Sequence, residues 1–265
     1  MTHWHPEVVA GLTGLLALYL LGIGPLRRRL TTGPGPGGAR VTAFAGGVVI
    51  LAGAVLGPLA EWAEHVALSA HMAQHLLMVL VVPPLWLLGT PDWLLRPMTR
   101  LPGATRAGYV LTRPVVALGL ASAALILWHV PAFFEAALRR EAVHALEHLT
   151  LLSTAVLLWW PVAGSLPEWP RPAPPAQLLY VFLATIPMTA VSAPITAADT
   201  VLYPFYAGAG AAWPLSPRAD QELAGVLMWV GGSLPYLIAG TIVFFRWARE
   251  EEPGAPVLPR APSGA

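Results

Sequence analysis

The stretch His71-Met72-Ala73-Gln74-His75-Leu76-Leu77-Met78-Val79-Leu80-Val81-Val82-Pro83-Pro84-Leu85-Trp86-Leu87-Leu88 runs eighteen residues without an acidic residue, a lysine or an arginine. At a helical rise of about 1.5 Å per residue, roughly 17 to 25 apolar residues cross a hydrocarbon core of about 30 Å. This stretch is long enough, and six further windows resemble it: Val8 to Gly24, Val41 to Ala60, Pro114 to Val130, Ala142 to Val162, Pro175 to Ile195 and Leu223 to Phe245. None alternates like a barrel strand, and lipid offers no water to an open backbone, so each is read as a helix. The expected fold is all-α, a polytopic membrane protein of seven transmembrane helices. Composition agrees, with 56% hydrophobic residues, 11% charged and a mean hydropathy of +0.62.

Orientation follows from arginine, because the chain has no lysine. With the N-terminus outside, the cytoplasmic loops collect Arg27, Arg28, Arg29, Arg40, Arg96, Arg100, Arg106, Arg113, Arg171, Arg246, Arg249 and Arg260. The outer side keeps Arg139, Arg140 and Arg218. That asymmetry predicts an outer N-terminus and a cytoplasmic C-terminus. The net charge of +1 is spread over short loops, so no nucleic-acid surface is expected. Met1 to Glu7 lacks a positive n-region and the arginine triplet follows the first window, which predicts a span and not a cleaved signal. Residues 1–249 are read as a single seven-helix transmembrane domain. The Pro-, Gly- and Ser-containing tail 250–265 is expected to be disordered. With no cysteine, any metal must be held by imidazole, thioether or carboxylate.

On this topology all eight histidines fall on the outer side: His3, His5, His65, His71, His75, His129, His144 and His148. His71 and His75 form one i, i+4 pair and His144 and His148 another, and such a pair brings two imidazoles to about 6 Å at Cβ, close enough to chelate one ion. Two pairs at one depth predict a four-nitrogen site where the third and fifth windows meet, with His129 as a fifth ligand or a supporting partner. Binding requires neutral imidazole, so occupancy should fall below about pH 6.5. Met72, Met78 and Met228 are candidate thioether ligands that favour copper, against a reading as packing residues. Glu147 sits one residue off the face of its pair, where it can orient an imidazole or meet an arginine. Asp220 and Gln221 head the last window as candidate ligands, against a reading of Ser216 or Asp220 as helix caps. Gly231, Gly232 and Pro235 predict a kink.

Three ordered signatures point to a family. They are His71-Met72-Ala73-Gln74-His75-Leu76-Leu77 with Pro83-Pro84-Leu85 and Gly89-Thr90-Pro91; Trp128-His129-Val130-Pro131 with His144-Ala145-Leu146-Glu147-His148 and Trp159-Trp160-Pro161; and Asp220-Gln221-Glu222-Leu223-Ala224-Gly225-Val226-Leu227-Met228-Trp229. Together they resemble the CtaG-type cytochrome c oxidase assembly factors associated with caa-type oxidases. The resemblance implies a multi-pass protein of the bacterial inner membrane, surrounded by lipid, that serves maturation of a haem-copper oxidase of the respiratory chain. It implies a metallochaperone-like role: taking copper from an extracytoplasmic donor and passing it to a cytochrome c oxidase subunit.

Three other readings stay open. Histidines on two helices can ligate haem, although a bis-histidine haem leaves each i+4 partner idle. A transporter usually places ionisable groups at the membrane midplane, which is nearly free of them here. A cofactor-free scaffold would dock the oxidase through apolar faces. No Ser-His-Asp spacing, phosphate-cradling loop or catalytic carboxylate pair marks an enzyme.

Overall fold

The computed structural model describes residues 6–208 and 213–251, and every regular element among them is helical. Apart from the short turns Arg27–Leu30 and Pro204–Gly208, these are in chain order α1 (Pro6–Ile23), α2 (Gly38–Leu56), α3 (Pro58–His65), α4 (Leu68–Gly89), α5 (Asp92–Thr99), α6 (Ala104–Leu111), α7 (Pro114–His129), α8 (Pro131–Arg139), α9 (Glu141–Ala163), α10 (Pro174–Ala197) and α11 (Pro217–Glu251). Six of them, α1, α2, α4, α9, α10 and α11, are each long and apolar enough to cross a membrane. The fourth window is different. Helix α7 has 16 residues, and it is long enough to cross a membrane only together with α6, from which it is bent by 72°.

The second window also divides. Gly57 is extended and Pro58 opens a new helix, because proline lacks the N–H that would continue α2 and disfavours helical backbone in the residue before it. The last window runs further than its apolar core implied, since α11 continues through Glu250 and Glu251, which the sequence had assigned to the tail. Residues 252–265, with Arg260, lie outside the described residues, as do His3 and His5.

Helix α4 is the hub. Half of its most apolar window is buried, against 11% for α1, and α2, α3, α9 and α11 pack around it. Consequently the polar side chains of its first turns, Ser69, His71, Gln74 and His75, face protein and not lipid. Helix α1 rides at the periphery, where Tyr19 stacks on Phe44 with ring centres 3.8 Å apart and its hydroxyl donates to the Gly89 carbonyl at 2.9 Å.

Two π turns interrupt the long spans, Leu77–Val81 in α4 and Leu227–Gly231 in α11. In α4 the Val82 N–H reaches back to the Leu77 carbonyl, and Pro83 and Pro84 then offer no N–H to the preceding turn. One carbonyl freed in this way, that of Val79, accepts the Trp159 indole N–H from α9 at 3.0 Å, so a neighbouring helix satisfies the broken ladder. In α11 the expected irregularity near Gly231 and Pro235 takes the form of a π turn inside one 35-residue helix.

Candidate metal centre

His71 is the fourth residue of α4 and His75 the eighth; His144 and His148 hold the same places in α9. The two helices lie side by side in that register. Ring centres are 4.2 Å apart for His71 and His75, 4.1 Å for His144 and His148, 5.8 Å for His71 and His144, and 5.2 Å for His75 and His148. Four imidazoles therefore make a closed rectangle, with like positions paired across the interface. The cross-pairs fix the two helices as parallel here, since an antiparallel pair would bring His71 to His148.

Glu147 joins this rectangle. It is 0% exposed, and one ligand atom from each of His71, His75 and Glu147 lies within 4.8 Å of the others. Two nitrogens bonded to one ion at 2.0–2.1 Å can be at most about 4 Å apart, so small rotamer changes close the set. No arginine meets the carboxylate: both Glu147 oxygens are buried without a hydrogen-bond partner. The same holds for Nε2 of His71 and His148 and for both ring nitrogens of His75. Unpaired polar atoms in an apolar interior cost about 1–3 kcal/mol each, and the lone pair that each neutral imidazole keeps, together with the Glu147 oxygens, is what a cation satisfies.

The His71 ring is held at its Nδ1 and His144 turns its Nδ1 toward a carboxylate. His71 Nδ1–H donates to the Ala63 carbonyl at 3.3 Å, and a carbonyl can only accept, so the lone pair is left on Nε2. His144 turns Nδ1 toward the Glu64 carboxylate at 4.0 Å. Carbonyl and carboxylate partners of this kind fix tautomer and aim in histidine–metal sites. The Ala63 carbonyl also accepts from Tyr206, in the turn Pro204–Gly208, and burial pushes that phenol's pKa upward, so it stays a donor.

His129 stands outside the rectangle. Its Nδ1–H donates to the Leu125 carbonyl at 2.7 Å and its own carbonyl accepts from Tyr203 at 2.8 Å, leaving Nε2 buried without a partner. The Phe134 ring touches both His71 and His129, with ring centres at 5.0 and 6.4 Å, which makes His129 a neighbour of the cluster across an aromatic wall.

The remaining candidates have other work. Met72 and Met228 pack in the main apolar cluster and Met78 packs with Leu51, Ala54 and Val82, so packing accounts for these thioethers. Asp220 and Gln221 change role from candidate ligands to clamps. The Asp220 carboxylate accepts from the backbone N–H groups of Leu68 and Ser69, the Ser69 hydroxyl and the Trp213 indole, and so caps α4 from α11. Gln221 accepts from the Leu202 N–H and donates to the Thr200 and Ile195 carbonyls. Ser216 is the cap of α11 itself, accepting from the Ala219 N–H at 3.2 Å. Tyr203, Tyr206, Phe134 and Glu64 carry no motif that singles them out in sequence; only the fold brings them to the histidines.

A family model described as cytochrome c oxidase caa3 assembly factor matches residues 17–250. Uncharacterized proteins of Mycobacterium bovis and Mycobacterium tuberculosis are each 27% identical to the chain over 270 residues, covering 95% of it and 40% of their own length. An uncharacterized protein of Mycobacterium leprae is 24% identical over 200 residues, covering 69% of the chain and 30% of itself. The chain thus spans about two fifths or less of the length of these curated relatives. No solved structure matches it.

Proposed function

From the premise that the chain belongs to the cytochrome c oxidase caa3 assembly factor family, we propose that it binds copper at the imidazole–carboxylate cluster of α4 and α9 and delivers it to an oxidase subunit. The observation that carries this reading is the rectangle of four histidine rings around buried, unpartnered nitrogens, with the Glu147 carboxylate beside them. Nitrogen and oxygen donors bind Cu(II) more tightly than the other divalent first-row ions. Without thiolates the ion is held as cargo that can leave.

The cluster is accessible from its α9 side, where His148 is half-buried. His144 and Glu64 are partly exposed, with side-chain exposures of 15% and 28%, whereas His71 and His75 are enclosed. Copper from an extracytoplasmic donor would meet Glu64 and His144 first and pass inward. This assignment uses the outer placement of the histidines expected from the arginine distribution in a bacterial inner membrane.

Haem is the less favoured cargo. Two axial imidazoles with a porphyrin between them hold their ring centres roughly 6 Å apart, with a macrocycle filling the gap. Here each ring of the cluster already packs on its neighbours at 4.1–5.8 Å.

The test is metal analysis and an absorption spectrum of the protein purified with and without added copper. Native protein should retain copper and show no Soret band. His71→Ala/His75→Ala and His144→Ala/His148→Ala should each lose most of the copper while keeping helical content. Equal copper in all three proteins would exclude the cluster as the binding site.

A further inference from the structure

At the end of α4 remote from the histidines, a cavity of about 700 Å³ opens between α4, α9, α10 and α11. Its walls are apolar, with Leu85, Trp159, Ile238 and Ile242 among them, and Leu88, Ile238 and Ile242 remain exposed on its flank, toward lipid. Two arginines line it as well, Arg171 from the link between α9 and α10 and Arg246 from the last turns of α11. Among the described residues neither arginine forms an ion pair; Arg171 donates to the Val162 carbonyl at 3.1 Å, and the nearest acidic wall residue in sequence, Glu250, makes no salt bridge to either. Desolvation and the like charge of Arg246 both lower the pKa of Arg171, the mark of two cations sharing one rim.

An apolar slot that opens sideways and carries two guanidinium groups outside any ion pair is complementary to an amphiphile with an anionic head. Guanidinium groups bind phosphate oxygens in bidentate fashion, and the volume lies within the ~300–1,000 Å³ usual for small-molecule sites. Basic pockets between transmembrane helices are suited to anionic lipid headgroups. We propose that this cavity holds one acyl chain of an anionic phospholipid, with Arg171 and Arg246 grasping its phosphate. The site is separate from the histidine cluster and does not depend on copper.

The experiment compares thermal unfolding of the purified full chain in neutral detergent after addition of phosphatidylglycerol, phosphatidylcholine or soluble glycerol phosphate. Phosphatidylglycerol should raise the midpoint by several degrees, phosphatidylcholine by less than half as much, and glycerol phosphate not at all. Arg171→Gln/Arg246→Gln should abolish the preference for phosphatidylglycerol. Ile238→Trp, which narrows the slot from its exposed wall and leaves both arginines intact, should also reduce the shift, and it serves as the test if the arginine variant does not fold. Equal shifts from the two lipids in the native protein, a full shift from glycerol phosphate alone, an unchanged preference in the arginine variant, or an undiminished shift in Ile238→Trp would overturn the proposal.

Discussion

Glu147 concentrates the chemistry of the cluster in one side chain. A carboxylate with two buried oxygens and no hydrogen-bond donor is unfavourable in an apolar bundle unless a cation or a proton meets it. Replacing it by a leucine of similar size removes that burden. Glu147→Leu should therefore raise the metal-free unfolding midpoint, by an amount equivalent to about 1–3 kcal/mol, and at the same time weaken copper binding at least tenfold. Unfolding scans with and without chelator, read beside metal content, separate the two effects; a variant with native copper affinity would show that the carboxylate does not touch the ion. The histidine pairs were legible because an i, i+4 repeat states its own geometry. Glu147 was harder to place. At 100° per residue it sits about 60° from His144 on the side away from His148, and only the packing of α9 against α4 turns that flank inward.

Among the elements, α4 depends on α11 for its first turn. Ala67 has an extended backbone and offers no side-chain cap, so the Leu68 and Ser69 N–H groups rely on Asp220. Asp220→Ala should leave these donors unsatisfied and lower stability by about 1–3 kcal/mol, while Asp220→Asn, which keeps an acceptor, should lose less. Because His71 lies in the turn that Asp220 anchors, copper retention should fall in the same order. A variant ranking in which Ala and Asn behave alike would contradict the capping role. The contact of α11 with α10 is as exacting. A Cβ on Gly225 would come within 2.7 Å of the Thr196 backbone nitrogen, whereas one on Gly46 would meet nothing within 4 Å. Gly225→Ala should thus lower the unfolding midpoint markedly and Gly46→Ala should not. The spans themselves could be read from unbroken apolar length: five of the windows fall within a few residues of a helix, while the second divides and α11 reaches further at both ends. The π turn of α4, the Gly57–Pro58 break and the bend before α7 could not, whereas Gly231, Gly232 and Pro235 did announce the irregularity of α11. In α4 the interruption depends on where the carbonyl freed by a missing proline N–H finds a donor, as Val79 does in Trp159, and that partner lies 80 residues away in the chain.

For the whole molecule, the register of the two histidine pairs bears on how often the chain crosses the membrane. Helices α4 and α9 run parallel with equivalent residues opposed, so both enter from the same face, and the chain between them must return across the bilayer. Only α7 is available for that return. Its 16 residues extend about 24 Å, short of a full hydrocarbon core, and α6, bent by 72° and amphipathic, lies where the span meets the interface with Arg106 and Arg113. Seven crossings are therefore expected, and with them a sharp expectation from the arginines. The segment carrying Arg96, Arg100 and Arg106 should face the cytoplasm, the segment carrying Arg139 and Arg140 should face outward, and the end of α11 at Arg249 should be cytoplasmic. Single cysteines are informative here because the chain has none of its own. Cysteines placed at Thr105, Ala136 and Ala248 and probed in intact cells with a membrane-impermeant thiol reagent should label only at Ala136. Labelling of Thr105 and Ala136 alike would mean that α7 does not cross, and α4 and α9 could not then present their histidines in parallel at one face. Labelling at Ala248 would invert the arrangement and turn the histidine cluster toward the cytoplasm, where copper from an extracytoplasmic donor could not reach Glu64 and His144.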